Sequence, residues 1–180
     1  SYPKLRLIEI APEKHVDISS SVYFNAFASA LYQIEFYDYR PANITLNNLK
    51  CLKNDVTQLT FEDNSIQSLS CMHVIEHIGL GRYGDPINPI GDIVAINELK
   101  RVLNLNGHLL FVVPISHKAK IQFNAHRIYT FDLIIELFDG LNLQEFSFVN
   151  DNGKFIENAT LKDIANQNYG CGCFHFKKLF

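Results

Sequence analysis

No apolar run in this sequence is long enough to span a bilayer, and no secretory signal is visible in it. Positive charge is not in excess: 16 Lys and Arg stand against 19 Asp and Glu, a net charge of −3. That balance excludes a general affinity for nucleic acid and leaves only a local basic groove open. Charged residues make up 19% of the chain against 47% apolar, the proportion of a globular protein rather than a disordered one. Repeats and linkers are missing, so the 180 residues are expected to form one domain, 1–180, with a sizeable core. Ser1 stands where an initiating methionine would, and an N-terminal segment is expected to be missing. Cysteine is sparse, at Cys51, Cys71, Cys171 and Cys173. Two of these lie in apolar, strand-like runs where free cysteine is commonly buried. Cys171-x-Cys173 has the spacing of a metal pair, yet alternation along a strand also puts both on one face. A reduced, cytoplasmic setting is the default reading.

What is present is organised around residues 65–91, SIQSLSCMHVIEHIGLGRYGDPINPIG. An apolar run from Ile66 gives way to glycine, proline and polar residues, which reads as a buried strand feeding a loop. The loop carries His73, Glu76, His77, Arg82, Tyr83 and Asp85. Open α/β sheets place their ligand sites just past such strand ends. Two motif matches here do not survive their context. His73-x-x-Glu76-His77 fits a zinc-protease pattern, but that chemistry needs both histidines on one helix, and this pattern straddles a strand end. Gly79-x-Gly81-x-x-Gly84 fits a dinucleotide fingerprint, but Pro86 and Pro89 follow where a helix should start.

The remaining elements follow in order. Residues 5–10 are short and apolar, a strand or a helix remnant. Val16-Asp17-Ile18 reads as a strand entering Ser19-Ser20-Ser21, with a helix over 22–32 after it. Strands are expected at 34–37, 49–52, 66–72 and 108–113. A helix is expected over 92–103 with Asp92 as N-cap, then a turn at 104–107, and a second helix over 130–137 capped by Thr130. Residues 143–149 and 172–177 alternate as a final pair of strands. Strand alternating with helix implies an α/β fold: a mostly parallel sheet with helices on both faces.

This order of signals resembles the class I S-adenosylmethionine-dependent methyltransferases. Val16-Asp17-Ile18-Ser19-Ser20 lies where that family has its acidic residue and glycine-rich first loop. Ile34-Glu35-Phe36-Tyr37-Asp38 ends in an acidic residue, as its second strand does. Asn54-Asp55-Val56 with Leu59-Thr60-Phe61-Glu62-Asp63-Asn64-Ser65 looks like its adenine-contacting turn and the run after it. Glu98-Leu99-Lys100-Arg101-Val102-Leu103 with Gly107 looks like its helix-turn before strand five. HVIEHIGLGRYGDPI and YGCGCFHFKK are similar, more narrowly, to a little-characterised methyltransferase-like subgroup. The resemblance implies a doubly wound Rossmann-like fold with a seven-stranded sheet and an antiparallel C-terminal strand. It also implies S-adenosylmethionine as cofactor.

On that resemblance, Asp17, Ser19, Ser20, Asp38, Asp55, Val56 and His73 form the expected cofactor site. Asp38 would accept from the ribose hydroxyls and Asp55 from the adenine amino group. A helix N-terminus after the first strand would draw the methionine carboxylate. The departure is the first loop, where serine replaces the family's glycine and adds a side chain near the ligand. His77, then His73, is the expected base for a hydroxyl acceptor. Certain ubiquinone-pathway and small-RNA methyltransferases carry E-x-x-E-H here and chelate a divalent ion. The corresponding set would be His73, Glu76, His77 and His126, shifted by imidazole towards zinc, iron or nickel. Arg82, Tyr83, Arg127 and Tyr129 would line an acceptor pocket, with residues near Arg82 as a lid. The expected activity is methyl transfer to a small hydroxyl-bearing acceptor, a saccharide or glycosylated precursor. An inactive binding or scaffolding domain and a metal-dependent hydrolase remain as alternatives.

Overall fold

The structure is a computed structural model that describes residues 2–122 and 125–179. Helix α1 (Tyr2–Ile10) leads into β1 (Lys14–Ile18), α2 (Val22–Ala28), β2 (Gln33–Asp38), β3 (Leu49–Lys53) and β4 (Ile66–Met72). Then follow α3 (Gly91–Val102), β5 (Leu103–Ile115), β6 (Lys120–Gln122), β7 (His126–Ile128) and α4 (Phe131–Leu137). The chain ends with β8 (Asn142–Val149), β9 (Phe155–Ile156), α5 (Leu161–Ile164) and β10 (Gly170–Lys177).

The main sheet has the order β3-β2-β1-β4-β5-β10-β8-β9. The first five strands run parallel, and β10 pairs antiparallel with both β5 and β8. This is the α/β sheet with an antiparallel C-terminal strand that the sequence led us to expect. It has eight strands rather than seven, because the two-residue β9 adds to β8, and β6 and β7 form a separate hairpin.

Alternation along each strand sorts the side chains into two unlike faces. One face buries Val16, Ile18, Leu69, Cys71, Phe111, Val113, Phe174 and Phe176 against Ala95, Ile96, Leu99 and Val102 of α3 and Ile134 of α4. Each phenylalanine buried this way contributes about 1.5–3 kcal/mol. The rings of Phe111 and Phe138 lie 4.7 Å apart edge to face, and those of Phe138 and Phe176 stack at 4.7 Å. The opposite face is much more polar. Under α1 and α2 it buries Leu7, Ala28, Ile34, Phe36 and Leu110, but also His15, Asp17, Ser68, Ser70 and Ser147. Arg6 of α1 reaches Glu145 at 2.7 Å across this face.

Local departures from expectation have local causes. The helix after the first loop stops at Ala28, where Ala30 and Leu31 switch to shorter bonds onto Phe27 and Ala28. The turn expected at 104–107 is a bulge inside β5, with register shifting opposite Ile66 and Ser68. Gly107 suits that bulge, since a Cβ would meet the Asn104 carbonyl at 2.7 Å. Thr130 caps α4 as expected, accepting the Leu133 N–H at 3.2 Å. Asp92 does not cap α3; it sits in the first turn and is held by side chains from β7 and the residue after it.

Candidate active site

Because β1, β2 and β4 are parallel, their carboxyl ends share one edge of the sheet. The first loop begins at Ser19, whose φ of 55° is a left-handed conformation that glycine adopts at little cost. Its N–H donates to Tyr37 O at 2.8 Å, and its hydroxyl to the same oxygen at 3.3 Å. Ser20 donates its N–H to Asp17 Oδ1 at 3.0 Å, while its Oγ accepts the Met72 N–H at 2.9 Å.

Asp17 itself is fully buried. Asn25 donates to its Oδ1 at 2.9 Å, and Ser70 Oγ donates to Oδ2. Burial pushes its carboxyl up to about 6, against the pull of hydrogen bonds from Ser70, Ser20 and Asn25. Asp17, expected at the cofactor site, thus commits both carboxylate oxygens to Ser20, Asn25 and Ser70 and braces the loop from beneath. Ser20 is likewise a strut, because its backbone donor and its hydroxyl both bond within the protein. The helix that follows has seven residues, and Ser21 at its N-cap makes no side-chain cap hydrogen bond.

Asp38 closes β2 half-exposed, with Oδ1 taking the Arg40 N–H at 2.7 Å. Its second oxygen accepts no hydrogen bond among the described residues. Asp55 organises its own turn, receiving the Thr57 N–H at 2.8 Å and the Thr57 hydroxyl at 2.7 Å. The Val56 side chain is buried in the main core, which leaves its backbone for the expected cofactor contact.

Beyond β4, His73 takes a φ of 58°, and residues Ile75–His77 form one 3-10 turn. Glu76 is 1% exposed, with Oε1 3.2 Å from His73 Nδ1 and 3.9 Å from His77 Nε2. Its Oε2 has no partner among the described residues. His77 Nδ1 lies 2.9 Å from Ala125 O, an acceptor only, so the proton sits on Nδ1 and neutral His77 presents Nε2 as a base. Hydrogen bonds donated by its ring to Cys171 and Glu76 favour the His73 imidazolium, raising it to about 10, which removes it as a base near neutral pH.

Around His77 the ring of Tyr83 lies 5.5 Å away and that of His126 at 5.8 Å, both edge to face. Arg82 is exposed, donates to Ala125 O at 2.8 Å and lies over the Tyr83 ring at 5.2 Å. The structure thus brings His77, Tyr83, Arg82 and His126 together. Arg127 and Tyr129 are not with them. Arg127 is 7% exposed, donates to Ile78 O at 2.6 Å and Pro89 O at 3.2 Å, and pairs with Asp92 at 3.3 Å. Tyr129, 2% exposed, donates to Asp92 at 3.0 Å. Arg127 fastens the 78–91 loop to α3 and Tyr129 ties the end of β7 to α3, so both side chains, expected to line an acceptor pocket, are buried and bonded within the protein. Asp85, which sequence reasoning left without a role, gathers the N–H groups of Gly79, Gly81 and Tyr83.

Among the described residues no three His, Cys, Asp or Glu side chains converge as a metal-holding group. The expected set of His73, Glu76, His77 and His126 is therefore not assembled as ligands: His73 and His77 stand 3.2 and 3.9 Å from the same Glu76 oxygen, and the His126 ring borders that of His77 at 5.8 Å. The hydrolase reading loses its helix as well, since the pattern spans a strand end and a single 3-10 turn. One side chain was underread. Cys171 Sγ lies 3.5 Å from His73 Nε2, a contact across 98 positions that no local pattern announces. An apolar groove of about 390 Å³ opens between α1 and α2, lined by Leu7, Tyr23, Phe24, Phe27 and Leu31, away from this edge.

The residues present suit an adenosyl cofactor. The first loop keeps the left-handed step of a glycine loop, and Asp38 offers a carboxylate oxygen at the end of β2. Comparison with known proteins agrees on the fold. A putative methyltransferase from Bacillus halodurans superposes with a TM-score of 0.66 at 15% identity over 100% of both chains. A S-adenosylmethionine-dependent methyltransferase from Methanosarcina mazei gives 0.64 at 13% identity over 100% of this chain and 99% of that one. The Haemonchus contortus phosphoethanolamine N-methyltransferase 2, solved with S-adenosylhomocysteine, gives 0.64 at 15% identity over 98% of this chain and 52% of that one. No curated protein matches the sequence. Residues 43–179, which hold every acceptor-side residue above, match the family described as Caenorhabditis protein of unknown function, DUF268. The chain belongs to that family and carries it on a class I methyltransferase fold.

Proposed function

We propose that this protein methylates a hydroxyl group of a small acceptor, a saccharide or glycosylated precursor, using S-adenosylmethionine. The observation that carries this reading is the meeting of Ser19, Asp38 and the His77 turn at one sheet edge, on this fold. Asp38 would hold the ribose, with the backbone at Ser19 and the turn at Asp55 beside it. When bound, the cofactor supplies a methyl group on a positively charged sulfur. His77 Nε2 takes the acceptor's proton, and Ala125 O keeps the ring in the required tautomer. Glu76 lies behind both histidines and stabilises the imidazolium that His77 becomes. The Tyr83 ring and Arg82, exposed above His77, fit a sugar face and its polar substituents. The chain acts as one domain, 1–180, in a reducing cytoplasmic compartment; its four unpaired cysteines support that setting. No helix among the described residues is long and apolar enough to cross a membrane.

A second reading, a binding domain without catalysis, is favoured by one feature: Ser20 fills the loop with bonds inward. Calorimetric titration with S-adenosylhomocysteine separates the two. The first reading expects binding that Asp38→Ala abolishes while the fold stays intact. A well-folded wild type that binds none gives the second reading the lead.

A further inference from the structure

Strand β10 opens with Gly170-Cys171-Gly172-Cys173. The register places Cys171 beside Pro114 and Cys173 beside Val112, so both sulfurs leave the same face of the sheet. Cys173 is 5% exposed and packs with Met72 and Val112. Cys171 is partly exposed at the carboxyl edge. Its sulfur lies 3.5 Å from His73 Nε2, and His73 Nδ1 lies 3.2 Å from the buried Glu76. Thiol, imidazole and carboxylate in this order are the parts of an activated sulfur nucleophile.

We propose that Cys171 and Cys173 form a thiol–disulfide exchange site, with Cys171 as attacking sulfur and Cys173 as resolving sulfur. Its substrate is a low-molecular-weight disulfide. The Cys171 thiolate attacks one sulfur of that disulfide. A bond forms between them, the substrate's own sulfur–sulfur bond breaks, and the departing thiolate takes its proton from the His73 imidazolium. Cys173 then gives up its proton to the neutral His73 and attacks Cys171 Sγ. The second substrate sulfur leaves as thiolate and takes that proton. The two cysteines are oxidised by two electrons together, and one disulfide is reduced to two thiols.

The surroundings suit both roles. The Cys173 S–H hydrogen bond and then the His73 imidazolium lower the Cys171 thiol, with burial and the Glu76 charge opposing. Cys173 is raised by its bond to Cys171, by burial and by the charges of Cys171 and Glu145. One sulfur is thus ionised and accessible while its neighbour stays protonated until needed. Residues two apart on a strand have Cα atoms about 6.6 Å apart, at the upper end of what a disulfide spans. Closing the bridge bends the strand at Gly172, whose backbone stands in register with Val113 on one side and Phe148 on the other.

Oxidised glutathione tests the site, with masses of the intact protein and of its peptides as readout. The wild type is expected to end with a Cys171–Cys173 disulfide and no retained glutathione. Cys173→Ser is expected to stop with glutathione on Cys171. Iodoacetamide at neutral pH should alkylate Cys171 about tenfold faster than Cys51, whose thiol is raised by burial, and His73→Asn should remove that advantage. The alkylation comparison uses the wild-type fold, so it stands even if a variant is unstable. Equal rates at Cys171 and Cys51, or glutathione accumulating on wild-type Cys171, would overturn the proposal. Neither readout depends on methyl transfer.

Discussion

Ser20 Oγ accepts the backbone N–H of Met72 at 2.9 Å and so ties the first loop to the end of β4. The two ends flank the site, and this bond extends the pairing of β1 with β4 beyond Asp17 and Ser70. Ser20→Ala leaves a buried N–H without a partner and is expected to cost about 1–3 kcal/mol. Urea denaturation measures the loss, and affinity for S-adenosylhomocysteine should fall with it.

Ser19 pays the opposite tax. A side chain in the left-handed region is strained by roughly 1–2 kcal/mol, partly offset by its bond to Tyr37 O. Ser19→Gly relieves that strain but gives the unfolded chain more freedom. A gain of up to about 1 kcal/mol in thermal unfolding is the expected outcome.

How much of this was legible beforehand depended on the range of the signal. Strands such as Ile66–Met72 and helix Gly91–Val102 announce themselves by local periodicity, and Thr130 by its position before an apolar run. Asp38 was legible as the last residue of a strand. Arg127 and Tyr129 were misread because a polar residue in a loop looks exposed until its partners are known, and Asp92 lies 35 positions away from Arg127. Cys171 and His73 meet only because β5 sits between β4 and β10, which is a fact of strand order.

Arg127 is expected to be structural. Arg127→Met leaves Asp92 buried without its ion pair and frees two loop carbonyls, at a cost on the order of 3–5 kcal/mol. Hydrogen exchange should show the 78–91 loop opening. Retained stability with lost turnover would return Arg127 to the acceptor pocket.

His77→Gln keeps a donor towards Ala125 but loses the base. Turnover is expected to fall on the order of 10²–10⁴-fold with cofactor affinity unchanged. A loss of affinity instead would assign His77 to cofactor binding.

The pH dependence of stability turns on His15, fully buried between Ser68 Oγ at 2.7 Å and Ser70 Oγ at 2.8 Å. Ser70 gives its proton to Asp17, so it accepts from His15 Nε2–H, and the ring is neutral. Burial holds His15 down at about 3 from 6.5. The unfolded chain therefore binds the extra proton first, and stability drains as pH falls from 6.5 towards 3. Asp17, raised from 3.8 to about 6, acts in the other sense and favours the fold as pH falls through that window. His15→Gln removes the first effect alone. The stability gap between wild type and variant should shrink by on the order of 2 kcal/mol from pH 7 to pH 5. An unchanged gap would mean that His15 titrates alike in the folded and unfolded chain.

At one edge of the sheet, β3 has no strand paired on its far side among the described residues. Its exposed Lys50 and Lys53 put like charges on an edge that would otherwise template strand addition. Two copies meeting edge to edge would bring four ammonium groups together. Neutralising those lysines by acetylation, or screening them with salt, is therefore the route by which a concentrated solution of this protein would turn cloudy.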